Sequence, residues 1–290
     1  MQIVFWGVRG SFPVCRPESL RYGGNTPCLE VDAGGTVILI DAGTGIRAAG
    51  KALLERGVRE VHLLLSHGHW DHIQGFPYFA PLYQPGIRIR IYSLRRPHTT
   101  LRAIFAAQQL APFFPVPLEQ MAAQVEFVEL EEGQEVVIGD ARVCSRRLNH
   151  PSLTGGFRIE REGRAFAYLS DVDLYTKLLL AEGLQTRSAA ERQQRLAGLY
   201  AGACALANRA DLAVCDTFFS HDDYEPSWGH SRPDDALRLA GDLGIGQLAL
   251  FHHEPHRSDR EIDDLLAHYR RQAGAGIELL AAAEGLELRV

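Results

Sequence analysis

Within the six residues His67-Gly68-His69-Trp70-Asp71-His72 stand three imidazoles and one carboxylate. All four are metal-ligand types. In extended chain, side chains at i and i+2 point to the same side, so His67 and His69 can serve one ion together. Asp71 and His72 are neighbours and diverge from that pair. One tetrahedral ion would not easily accept all four groups. Two ions a few ångströms apart would, with His67 and His69 on one and Asp71 and His72 on the other. A solvated histidine tract is a weak alternative in a chain with 12 histidines among 290 residues.

Two ions need further ligands, and other segments offer them. His150 lies in "LNHPS", Asp171 in "YLSDVD", and His252 or His253 in "LALFHHEPH". Each follows an apolar run that reads as a strand: Ala141–Leu148, 165–169 and Gln247–Phe251. A fourth run, 61–65, delivers the chain to the cluster itself. Sheet proteins commonly build their sites just past the C-terminal ends of strands. Asp171 has two carboxylate oxygens and can bridge both ions, with Asp173 as the competing choice. Asp41 in "LIDAG" reads as a residue behind the ligands that steadies one of them or the adjoining loop. Asn25 and Thr26 in "GGNTP" read equally as turn residues or as site contacts, and His98 as a residue facing the cleft from a lid.

The elements that must position these groups alternate along the chain. Short Val/Ile/Leu/Phe runs favour strands. Helical periodicity is present over 45–57, 100–107, 174–180, 189–208, Pro233–Leu243 and 258–272. No Gly/Ser/Pro-rich linker divides the chain. This implies one domain, residues 1–290, of sheets flanked by helices. A helical, amphipathic insertion at about 176–209 could be a lid, a homodimer contact or a surface elaboration. "VILIDAGTG" and "FAYLSDVD" echo one another as apolar strands running into an aspartate. Hydrophobic content of 46% and charged content of 23% are ordinary for a globular chain. The net charge of −6, without a long basic run, argues against a broad nucleic-acid face. No window reaches the roughly 18 apolar residues of a membrane span, and the N-terminus does not read as a signal peptide. Five scattered cysteines without a C-x-x-C pair imply reduced thiols and a cytoplasmic location.

The strand-end "LIDAGTG", the "SHGHWDH" cluster, His150, "SDVD" and "LFHH" resemble, in this order, the metallo-β-lactamase superfamily. The resemblance implies an α/β fold, a four-layered αββα sandwich with the metals at one sheet edge. It also implies the full ligand set. One ion would take His67, His69 and His150, and the other Asp71, His72 and His252. Asp171 would bridge, with a water or hydroxide between the ions as nucleophile. His252 is preferred to His253 because it directly follows Phe251. "WGVRGSFP", "YGGNTPC" and "SWGHSRPDDALRLA" resemble the phosphodiesterase branch, which includes ribonuclease Z and cyclic-phosphate diesterases. In that branch the histidine of "GHS" sits near the scissile phosphate. Here it is His230, with Asp216 of "VCDTFF" as its acidic partner where ribonuclease Z has Glu. With Asp71 as ligand and orienter, these are the expected catalytic residues. The resemblance therefore implies a two-metal hydrolase of a small phosphodiester, a cyclic nucleotide or ribose cyclic phosphate. An RNA endonuclease of the ribonuclease Z kind is the second reading, although no Gly/Pro-rich basic arm for gripping RNA is present. A non-catalytic nucleotide sensor is the third. His/Asp ligation suits Zn²⁺ first, and also Mn²⁺ or Fe²⁺.

Overall fold

The computed structural model describes residues 1–181, 188–274 and 276–290. In chain order the strands are β1 (Gln2–Gly7), β2 (Cys28–Asp32), β3 (Val37–Ile40), β4 (Glu60–Leu64), β5 (Arg88–Leu94), β6 (Gln124–Leu130), β7 (Glu135–Ile138), β8 (Ala141–Leu148), β9 (Thr154–Arg161), β10 (Arg164–Leu169), β11 (Leu212–Asp216), β12 (Gln247–Phe251), β13 (Glu278–Ala281) and β14 (Glu287–Arg289). The helices are α1 (Ile46–Glu55), α2 (Trp70–Ile73), α3 (Leu101–Gln108), α4 (Ala189–Ala207), α5 (Pro233–Leu243) and α6 (Asp259–Arg270).

Two seven-stranded mixed sheets result, ordered β14-β1-β2-β3-β4-β5-β6 and β13-β12-β11-β10-β9-β8-β7. The period of two along each strand sorts its side chains between two cores. On β3, Ile38 and Ile40 point into the space between the sheets, where they join Phe157, Phe166 and Phe251. Val37 and Leu39 point outward, under α1 and α3, with Ile46, Leu53 and Phe105. On β12, Ala249 and Phe251 face inward, while Leu248 and Leu250 pack beneath α4, α5 and α6. The central strands, such as β3 and β12, are thus covered on both faces, which explains why they read as unbroken apolar runs. The layers are α, β, β, α, as expected.

The echo noticed in the sequence corresponds to a repeated topology. β1, β2 and β3 pair antiparallel, and β4, β5 and β6 follow in parallel. β8, β9 and β10 pair antiparallel, and β11, β12 and β13 follow in parallel. Asp41 directly follows β3 and Asp171 stands two residues past β10, and both have left-handed φ values, 62° and 57°.

The helix expected over 174–180 is absent. Side chains capture its backbone groups instead. Asp173 accepts from the N–H groups of Tyr175 and Thr176. Asn149 accepts from Leu180 and Ala181 and donates to the Leu178 carbonyl. Of the expected insertion at 176–209, residues 182–187 lie outside the described residues. The helical part is α4, and Ala203, Leu206 and Ala207 at its C-terminal end are buried in the layer that covers the second sheet. No helix among the described residues is long and apolar enough to cross a membrane.

Candidate metal centre

Six strand ends converge on one edge where the two sheets meet: those of β3, β4, β8, β10, β11 and β12. They deliver Asp41, the 66–72 segment, His150, Asp171, Asp216 and His252 respectively. His69 is extended, with ψ 152°, and the chain then makes the single turn of α2. This change of conformation redirects the side chains. His67 and His69 share a side in extended chain, while Asp71 and His72 leave on a helical turn. Six non-glycine residues among those described have left-handed φ, and four of them are at this edge: Ser11, Asp41, Asp171 and His252. Such positions cost about 1–3 kcal/mol each and persist where surrounding contacts over-determine them.

Three groups of candidate ligands share Asp171, and the ligand atoms of each lie within 4.8 Å of one another: His67, His69 and His150 make the first, Asp71, His72 and His252 the second, and Asp216, His230 and His252 the third. In the first, Asp171 Oδ2 is 3.5 Å from His67 Nε2 and 3.7 Å from His150 Nε2. His69 Nδ1 is 3.2 Å from His150 Nε2. In the second, Asp171 Oδ1 is 3.1 Å from His72 Nε2 and 3.4 Å from His252 Nε2. Asp71 Oδ2 is 3.4 Å and 3.2 Å from the same two nitrogens. Each oxygen of Asp171 therefore faces its own group.

These spacings fit a metal. Ligands about 2.1 Å from a tetrahedral ion stand roughly 3.4 Å apart. The Nε2 atoms of His67 and His72 are buried and make no hydrogen bond, a costly state unless another partner takes them. Burial, then the neighbouring His72, holds His67 well below its ordinary pKa. Burial also takes His150 down to about 3. Both rings are thus neutral, with lone pairs free. Burial opposes charge on His72, but Asp171, Asp71 and Asp41 together raise it well above its ordinary value. An ion beside Asp71 and Asp171 would take the place of that proton.

Asp41 anchors the assembly from behind. Its buried carboxylate accepts from the Ser66 N–H (2.8 Å), the Ser66 hydroxyl, the Tyr168 hydroxyl (2.7 Å) and His72 Nδ1 (2.8 Å). Donation from Nδ1 fixes the His72 tautomer and leaves Nε2 for the ion. Burial, then Asp41, raises the Tyr168 phenol far above its usual range, so it remains a donor. Asp41→Asn is expected to weaken metal binding about 10–100-fold. Titration against a chromophoric chelator would measure this, and unchanged affinity would remove Asp41 from the ligand-orienting role.

Other supports are backbone groups. The Ser11 N–H donates to Asp71 Oδ2 at 2.8 Å. The Gly229 carbonyl accepts from His150 Nδ1 at 2.9 Å. Gly229 has φ 81°, and a Cβ there would lie 2.7 Å from His150 Nδ1. The buried Arg9 pins the N-terminal loop to the carbonyls of Gly23, Glu254 and Arg257.

His230 and Asp216 also meet, at 2.6 Å between Nδ1 and Oδ2. Burial disfavours the His230 charge, but Asp216, Asp171 and Asp71 overcome it and raise the group to about 9 in the metal-free protein. Its ring packs against those of both Phe218 and His252. His67, His69, Asp71, His72, His150, Asp171, Asp216, His230 and His252 are therefore brought together in this cluster.

Several alternatives are elsewhere. His253 turns away and bonds the Ala282 carbonyl. Asp173 bonds Tyr224 and its own turn. Asn25 pairs with Glu284, and Thr26 exchanges hydrogen bonds with Thr44, so both brace distant loops and neither makes a local turn bond among the described residues. His98 is exposed on the β5–α3 connection. Ser66, Tyr168 and the Gly229 carbonyl were missed. Tyr168 carried a signal, since a tyrosine on the inward face of an apolar strand needs a partner for its hydroxyl.

Residues 36–187 match the Beta-lactamase superfamily domain. The chain belongs to this family. Ribonuclease Z from Haloarcula marismortui is 24% identical, with 100% of this chain and 97% of that protein aligned. The metallo-β-lactamase fold protein YhfI from Bacillus subtilis has the same fold, with a TM-score of 0.70 at 18% identity over 99% of this chain and 98% of that one. So has a diphosphatase of the PhnP family, with a TM-score of 0.65 at 20% identity over 100% and 97%. The fold implies divalent-metal binding, and the His/Asp groups at the sheet edge could hold the ions.

Proposed function

We propose that the protein is a two-metal phosphodiesterase acting on a small phosphodiester, a cyclic nucleotide or ribose cyclic phosphate, with zinc as the favoured metal. The observation that carries this reading is the place of His230. Its Nδ1 is committed to Asp216, while its Nε2 makes no hydrogen bond among the described residues. Its ring lies 5.2 Å from that of His150 and 5.1 Å from that of His252, one ligand from each group.

His67, His69 and His150 would hold one ion, Asp71, His72 and His252 the other, and Asp171 both. Two bound divalent ions would activate a water near pH 7 and neutralise charge on the phosphoryl oxygens. The chain supplies the rest. Asp71, held at Oδ2 by the Ser11 N–H, would serve as a ligand and as an orienter of the water. His230 stores a proton on Nε2 and donates it to the departing oxygen. Asp216 fixes the ring so that Nε2 is the atom presented.

Metal-loaded protein is expected to hydrolyse bis(p-nitrophenyl) phosphate. Activity should be lost on chelation and restored by added Zn²⁺ or Mn²⁺. Protein that leaves phosphodiesters intact but opens a lactam or thioester would overturn the proposal. The full-length similarity to ribonuclease Z supports an RNA endonuclease as the second reading. Efficient processing of a tRNA precursor, with cyclic nucleotides left intact, would favour it.

A further inference from the structure

Large aromatic side chains are normally covered in a folded protein, so those left in solvent around a polar site call for a partner. Phe12, Trp70 and Trp228 are 45%, 59% and 55% exposed. Each adjoins a group of the metal centre. Phe12 follows Ser11, whose N–H holds Asp71. Trp70 stands between His69 and Asp71. Trp228 precedes Gly229, whose carbonyl holds His150.

Phe12 and Trp228 also have defined neighbours. Phe12 meets the His256 ring edge-on at 5.7 Å. Trp228 rests on Phe218 and Phe219, at 6.3 Å and 6.0 Å. Phe218 in turn packs on the His230 and His252 rings, at 4.9 Å and 5.8 Å. A single ring therefore separates the exposed indole from a candidate ligand and from the proton donor.

We infer that Phe12, Trp70 and Trp228 form a stacking rim for the base of a nucleoside phosphodiester, which makes them specificity-determining residues. The inference rests on the phosphodiesterase reading and narrows it. The metal centre would take the phosphate, which is the common part of any diester. A flat group joined to it through a short sugar would extend over the rim, where an indole or phenyl face contributes about 1–3 kcal/mol. Any base has such a face, so the rim selects for a nucleoside without selecting strongly among bases.

The test uses the metal-loaded full chain with adenosine 2′,3′-cyclic phosphate as substrate and AMP as ligand. Hydrolysis and tryptophan fluorescence are followed in parallel. AMP is expected to quench the wild-type emission saturably. Trp228→Ala is expected to raise both KM and the AMP Kd about tenfold, with bound metal unchanged and kcat affected far less than KM. Trp228→Phe should recover most of that loss, and Phe12→Ala should show a smaller rise in KM. Phe12→Ala and Trp228→Phe keep the test decisive if Trp228→Ala misfolds. Equal KM and Kd in the wild type and all variants, with hydrolysis intact, would overturn the rim and leave the phosphodiesterase reading standing. AMP binding that depends on Trp228, without hydrolysis of any phosphodiester, would support the rim and overturn that reading. Absence of AMP binding to the wild type would overturn the rim.

Discussion

Alanine at Asp171 is expected to remove both metals at once. Each of its oxygens faces a different group, at 3.1 Å from His72 Nε2 and 3.5 Å from His67 Nε2. The carboxylate is buried. Burial alone would raise its pKa, yet His252, His72 and His67 hold it well below the usual range. Its negative charge is thus part of the cluster's electrostatic balance, and its loss would leave only five imidazoles and the Asp71 carboxylate, with no group shared between the two sets. Phosphodiester turnover should fall by about 10³-fold or more, since the ions supply several kcal/mol of charge stabilisation. The contrast with single-group ligands makes the test specific. His69→Ala should cost only the first ion and His252→Ala only the second. Metal analysis of the three purified variants reads this directly. If Asp171→Ala retains one full equivalent while His69→Ala loses two, Asp171 does not bridge.

The candidate ligands were legible in the sequence because each segment that carries them follows an apolar run. Strand burial on both faces makes the runs continuous, and a His or Asp closing such a run stands out. The tight spacing from His67 to His72 also implied two directions, although the helical turn at Trp70–Ile73 that produces them was not visible. Less was legible where a structure depends on distant partners. The 174–180 segment has helical periodicity, but Asn149 takes the N–H of Leu180 from 31 positions away. Local pattern cannot register that competition. The Gly229 carbonyl orients His150 across 79 positions, and a backbone oxygen has no residue type to betray it. β13 and β14 were missed for another reason. They are short edge strands, and β14 pairs only with Gln2 to Val4 of β1. β14 has one apolar residue in three and resembles a loop, whereas β13 is apolar but only four residues long.

The second large effect belongs to His230. Replacing it with alanine is expected to lower kcat by about 10²–10⁴-fold. Bound metal should be unchanged, because the group that holds His150 is the carbonyl of Gly229 and not the His230 ring. The size of the loss should depend on the leaving group. A cyclic nucleotide expels an alkoxide, which needs a proton as the bond breaks. Bis(p-nitrophenyl) phosphate expels a stable phenolate, which does not. His230→Ala should therefore be far more damaging on the first substrate than on the second. Asp216→Asn is expected to show the same selectivity with a smaller loss, about 10–100-fold, because the amide keeps the ring near its position but weakens the hold on Nδ1. Asp216 also accepts from the N–H groups of Val172 and Phe218, so the thermal stability of this variant should be measured alongside its rate. Equal losses on both substrates would show that His230 binds the phosphate without protonating the leaving oxygen. Full activity of His230→Ala on a cyclic nucleotide would place the proton donor elsewhere in the centre.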